Sequence, residues 1–266
     1  MFMTSSPSSS FQKTILPSGV RVVTETMPHV HSLSVGFWFN TGSRDEPDRL
    51  AGIAHYLEHM NFKGTARRSP IVIAREIESR GGHLNAFTTK ETTCYFARVT
   101  DEHLTRAVDV LADLTLHSLY DPEETERERQ VILEELKSVE DTPDELVFEQ
   151  FLGDIYSRHP LGRSVLGTRE SLTTIDSPAL KEYSQANYGG SGVVIAAAGN
   201  LNHQRLVRLI EHRFKRECFS PQTLESAGTS VDRSSRLPPE EIQRSDFRAD
   251  RHTNTQQAHL AVGCRS

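Results

Sequence analysis

The sequence predicts an α+β fold, and three observations carry that expectation. Short β-branched or alternating segments recur at residues 19–26, 32–39, 83–88, 92–100 and 192–199. Longer segments with apolar residues on helical spacing separate and follow them, at about 50–61, 69–80, 102–118, 122–141, from 143 onward and 203–216. The chain has 266 residues, 36% hydrophobic and 25% charged, enough apolar material to bury a substantial core.

Each element has its own warrant. Residues 19–26, GVRVVTET, are rich in valine and threonine, whose branched side chains suit a pleated, half-buried strand. Residues 32–39, SLSVGFWF, alternate in part and read as a second strand. The turn-rich segment 40–47 breaks the pattern, and a helix is expected from about Leu50 to Asn61. Ser69 followed by Pro70 reads as a cap and a first helical residue, and Gly81-Gly82 as the stop. Residues 83–88 and 92–100 lie close enough in the chain to pair as strands. Asp121-Pro122 repeats the cap-then-proline signal before a long acidic helix, and another helix is expected from Pro143. The glycine-bounded run GVVIAAAG at 192–199 reads as a buried strand. Leu206, Leu209, Ile210 and Phe214 mark a last helix.

The flanks read differently. Residues 1–11 are polar and serine-rich, a disordered lead without the apolar stretch of a secretory signal. The main domain is expected over 12–219. Residues 220–255, dominated by Ser, Pro, Arg, Glu and Asp, read as an interdomain linker. Residues 256–266 then resemble the truncated start of a second domain. A net charge of −6 and a pI of about 6.1 give no basic face for nucleic acid. The longest apolar run, Val193 to Ala198, is too short to span a bilayer, so no membrane insertion is expected. Cys94, Cys218 and Cys264 form no C-x-x-C pair and no disulfide framework; reduced thiols in a cytoplasmic setting are expected.

The chemistry concentrates in His55-Tyr-Leu-Glu-His59. On a helix, imidazoles four residues apart lie on one face, the spacing that lets two nitrogens hold one zinc ion. Glu58 falls on the same side, within reach of an activated water as general base. This is the zinc-binding H-E-x-x-H pattern in reversed order. Ile53, Ala54 and Leu57 would turn the rest of the helix inward. A catalytic zinc needs a third protein ligand and an open position. Most charges of the acidic helix suit a solvated face. Glu128 and Glu135, seven residues apart, share another face with Ile132 and Val139 nearby, and an inward carboxylate needs a cation. Glu135 is the expected third ligand and Glu128 the carboxylate that orients a ligand histidine. Glu134 points about 100° away and suits solvent.

The chain resembles the pitrilysin, insulin-degrading enzyme and mitochondrial processing peptidase family. The likeness is carried by HYLEHMNFKGT at 55–65, GGHLNAFT at 81–88, VILEE at 131–135, EDTP at 140–143, HPLG at 159–162 with Gly167-Thr168, and AGN at 198–200. It is nearest the processing-peptidase branch. The 75 residues between His59 and Glu135 also match that family's spacing. The resemblance implies an α/β roll: an antiparallel sheet with helices packed mainly on one face. It implies a peptide substrate bound between two such rolls, with Asn85 and Ala86 on an edge strand that pairs with the substrate main chain. His83 reads as a strand residue near the cleft, not a ligand.

Together these readings predict a zinc-dependent endopeptidase acting on peptides or presequence-like segments. Zn2+ would be bound by His55, His59 and Glu135, with Glu58 as base. The sequence ends before the family's second roll, so weak or absent activity alone is expected, with a second-half domain or a homo-oligomer as partner. The alternative is a non-catalytic peptide-binding or assembly subunit that keeps the roll.

Overall fold

A computed structural model describes residues 10–156 and 159–214 of the chain. All of these belong to the first of two units into which the chain divides, Met1–Leu224; the second, Glu225–Ser266, lies outside the described residues. The expected linker at 220–255, the expected second-domain start at 256–266, Cys218 and Cys264 therefore also lie outside them.

The expected α+β roll is present. Its sheet has six strands: β1 (Ser10–Ile15), β2 (Arg21–Thr26), β3 (Ser32–Phe39), β4 (His83–Thr88), β5 (Thr93–Thr100) and β6 (Val193–Gly199). Their spatial order is β1-β2-β6-β3-β5-β4. The sheet is mixed: four pairings are antiparallel, and β2 with β6 is parallel. The expectation of an antiparallel sheet needs that correction, and β6 supplies the reason. β2 and β3 are consecutive and opposite in direction but do not pair with each other. β6 inserts between them, so it runs antiparallel to β3 and parallel to β2. A strand in that central slot is hydrogen-bonded on both sides, which suits its apolar VVIAAAG sequence.

β1 was not legible as a strand. It begins at Ser10, inside the stretch expected to be a disordered lead; residues 1–9 lie outside the described residues. Its register pairs Phe11 with Glu25 and Ile15 with Arg21.

Eight α-helices occur among the described residues: α1 (Ile53–Asn61), α2 (Pro70–Glu78), α3 (Leu104–Leu116), α4 (Pro122–Glu140), α5 (Pro143–Ile155), α6 (Arg169–Thr174), α7 (Ser177–Asn187) and α8 (His203–Arg213). One continuous core joins the inward side chains of the sheet, among them Val22, Val35, Phe37, Tyr95 and Ile195, to Leu57 of α1, Leu111 of α3 and Ile210 of α8. The other face of the sheet carries a shallow groove of about 400 Å³ that includes Val23, Trp38, Phe87, Phe96 and Ala196. Trp38 and Phe87 meet edge-on there at 5.5 Å.

Sequence reading missed α6 and α7. The signal was present: Asp176 caps α7 by accepting the Ala179 N–H, and Pro178 occupies its first turn, as Pro122 does in α4. Cys94 is buried and has no disulfide partner among the described residues, and burial pushes its thiol up to about 12. No helix among the described residues is long and apolar enough to cross a membrane.

Candidate metal centre

The centre is built on α1. Ile53, Ala54, Tyr56, Leu57, Met60 and Asn61 of this helix are buried. That leaves His55, Glu58 and His59 half-buried on the remaining face. The start of the helix is fixed by two devices. Gly52 has φ of 91°, and a Cβ there would lie 2.6 Å from the Leu166 carbonyl oxygen, so a side chain is excluded twice over. Glu46 is 3% exposed and accepts the N–H groups of Gly52 at 2.7 Å and Ala54 at 2.8 Å. These are donors that a helix N-terminus leaves without partners. Burial pushes the Glu46 carboxyl up to about 8, against the pull of those two donors.

α4 packs beside α1 and is tied to it around its N-terminal end. The Tyr56 hydroxyl donates to the Thr125 carbonyl. Asn61 donates to the Tyr95 hydroxyl at 2.8 Å and accepts from the Tyr120 hydroxyl at 3.1 Å. Tyr120 is the non-glycine residue with positive φ among the described residues, at 50°, and it immediately precedes Asp121, the cap of α4. Asp121 accepts from the N–H groups of Glu123 and Glu124.

This packing brings His55, His59 and Glu135 together. One donor atom from each lies within 4.8 Å of the others. His55 Nε2 is 3.8 Å from Glu135 Oε2, and His59 Nε2 is 3.6 Å from the same oxygen. Those separations are too long for hydrogen bonds. They are close to the roughly 3.3–3.4 Å edge of a tetrahedron whose zinc–nitrogen bonds are about 2.0–2.1 Å. Burial, with His59 as a lesser cause, pushes the His55 imidazole down to about 3, which keeps it in the neutral form that binds metal. Its Nδ1 is buried with no hydrogen-bond partner among the described residues.

Charge points the same way. His59 Nδ1 lies 2.9 Å from Glu128 Oε1, and Lys63 Nζ lies 2.5 Å from Glu128 Oε2. Glu58 receives the Thr88 hydroxyl at 2.5 Å; burial pushes its carboxyl upward, and the Thr88 bond opposes that. The set thus gathers three carboxylates around two imidazoles with one ammonium, a deficit of positive charge that a divalent cation would fill. The donor set fits zinc. Glu134 is exposed, as expected from its helical position.

β4 forms the sheet edge beside α1. Asn85 is exposed and Ala86 half-buried, and Asn85 Oδ1 accepts the Ala86 N–H at 2.8 Å. His83 is an exposed strand residue and belongs to none of the donor groups found among the described residues. Sequence reading missed Lys63, Thr88 and Glu46. Lys63 and Thr88 lie inside the family-like segments 55–65 and 81–88 without a role of their own, and Glu46 sits with Asp45 and Asp48 in an acidic turn shortly before the helix.

The fold and the donor set define a class: α/β rolls built around an H-x-x-E-H helix. The chain belongs to a family within it, since the profile described as Insulinase (Peptidase family M16) matches residues 21–169. An uncharacterized zinc protease of Mycobacterium tuberculosis is 43% identical over 203 residues, 76% of this chain and 46% of the relative. The mitochondrial-processing peptidase subunit beta of Lentinula edodes is 40% identical over 199 residues, 75% of this chain and 43% of the relative. Two crystal structures share the fold. A protease from Helicobacter pylori superposes with a TM-score of 0.73 at 24% identity, over 77% of this chain and 50% of that one. A peptidase M16 inactive domain from Pseudomonas fluorescens gives 0.72 at 18% identity, over 79% and 51%. The chain spans about half the length of the curated relatives it matches.

Proposed function

We propose that this chain is the zinc-bearing part of an endopeptidase, with His55, His59 and Glu135 as metal ligands and Glu58 as general base. The convergence of those three donors beside Glu58 carries the proposal. Bound zinc would supply Lewis acidity to water and to the scissile carbonyl. Glu58, held through Oε2 by Thr88, takes the proton of the attacking water and passes one to the departing amine. Burial raises the proton affinity of this carboxyl and so favours the first transfer.

The exposed β4 edge suits an extended peptide, which would add as a further strand through main-chain hydrogen bonds. Asn85 currently takes the Ala86 N–H, so an incoming carbonyl competes for that donor and frees the Asn85 amide to bind substrate. Presequence-like substrates follow from the resemblance to processing peptidases. The matched relatives are about twice as long, and we assign the stabilisation of the developing oxyanion to a second half of that kind.

A non-catalytic reading has one observation in its favour: the same roll occurs in the inactive domain from Pseudomonas fluorescens. Hydrolysis of a quenched fluorescent peptide decides between them, assayed on zinc-loaded chain with a second-half domain from a longer relative. Turnover that disappears in His55→Ala/His59→Ala supports the peptidase. Stoichiometric zinc without turnover in the complemented assembly would leave the binding role.

A further inference from the structure

We propose that Lys63 is a positioning residue for the metal centre, acting on His59 through Glu128. The inference rests on the ligand assignment above and extends it to a residue outside the donor set.

The Glu128 side chain is 7% exposed, and among the described residues its two oxygens have one partner each: Oε1 meets His59 Nδ1 at 2.9 Å and Oε2 meets Lys63 Nζ at 2.5 Å. A buried carboxylate requires a compensating charge. A histidine that binds metal is neutral and cannot supply it. Lys63 is the group that does. An ionised carboxylate only accepts hydrogen bonds, so its bond to His59 places the ring proton on Nδ1. That leaves the Nε2 lone pair free, and Nε2 is the atom facing Glu135 at 3.6 Å. The order Lys63, Glu128, His59 therefore selects the tautomer and the ring orientation that the site needs.

Lys63 can do this because the metal helix places it. Its N–H bonds the Met60 carbonyl at 3.1 Å, continuing the last turn of α1, so the ammonium is anchored to the element that carries both histidines. A cation just beyond a helix C-terminus is also favoured by the helix dipole. Glu128 comes from α4, so the same contact fixes α4 against α1. Lys63 is partly exposed, at 30%, whereas its partner is buried. An exposed ion pair contributes little, but this pair holds a buried group.

The test is zinc affinity of the 266-residue chain, by competition with a chromophoric chelator, in a double-mutant cycle. Lys63→Met should weaken zinc binding on the order of tenfold or more, the usual effect of losing a group that orients a ligand. Lys63→Arg, which keeps the charge, should bind zinc more tightly than Lys63→Met. In a Glu128→Gln background, Lys63→Met should change affinity little, because the route to His59 is already cut. Wild-type affinity in Lys63→Met would overturn the proposal, as would an undiminished loss in the Glu128→Gln background. Zinc binding that survives His55→Ala/His59→Ala would instead overturn the ligand assignment itself, and this proposal with it.

Discussion

Glu134 and Glu135 are neighbours in sequence and differ by about 100° around α4, yet one is exposed and the other faces both histidines at 3.8 and 3.6 Å. Glu135→Gln is therefore expected to weaken zinc binding by at least about tenfold, and Glu134→Gln to leave it nearly unchanged. Equilibrium dialysis of the two variants measures the contrast. A larger loss for Glu134→Gln would reverse the assignment. Glu58→Gln should keep zinc and lose about a hundredfold or more in peptide turnover in the complemented assembly, since it removes the base and spares the ligands. These residues were legible because their spacing lies within single helices, where periodicity decides which side chains share a face. Lys63 and Thr88 were not. Lys63 meets Glu128 and Thr88 meets Glu58 across packed elements, and no local spacing rule connects them.

At the scale of elements, the start of α1 matters most, because His55 sits two residues after the first helical residue. Glu46 holds that start, and its carboxyl, pushed up to about 8, lies above the ordinary value. The sign follows from linkage. A carboxyl whose native value is raised binds its proton more tightly when folded. Its contribution is complete below the unfolded value of about 4.3 and is lost as pH rises toward 8. Arg163, which donates to the Glu46 main-chain oxygen, moderates the shift, and Asp45 adds to it. Tyr183 also faces Glu46, and burial keeps its phenol protonated throughout this range. Below about pH 6.5 the depressed His55 imidazole acts in the opposite sense, so thermal melts from pH 6.5 to 8 should show stability falling with pH in the wild type and a shallower fall in Glu46→Gln. Parallel pH profiles would show that Glu46 does not titrate in this window. Cap-and-proline signals made α2 and α4 readable. The Glu46 bonds escaped notice because they arise from a turn six and eight residues upstream of the amides it binds.

At the scale of the molecule, the mixed α and β character was readable from pattern alone, but the parallel β2–β6 pair was not. A strand's sequence records burial and leaves open which neighbours it inserts between. The site has the same non-local origin: α1 and α4 meet only after the chain has closed the sheet edge at β4 and β5 and passed through α3. Zinc should therefore stabilise the fold as a whole, because it binds groups that only the folded chain brings together. A ligand present at about 100 times its dissociation constant adds roughly 2.7 kcal/mol when it binds the native state alone. For a folded unit of about 150–250 residues, each kcal/mol raises the melting temperature by roughly 2–4 °C. Zinc at that excess should thus raise the midpoint by about 5–10 °C. The charge balance favours the same outcome, since Glu58, Glu128 and Glu135 converge with Lys63 as the one ion-paired cation among the described residues of the cluster. Differential scanning calorimetry with zinc and with chelator measures the shift, and His55→Ala/His59→Ala should abolish it. An equal shift in that double variant would mean that the stabilising metal binds elsewhere. No shift in the wild type would mean that the three donors do not form a zinc site at all.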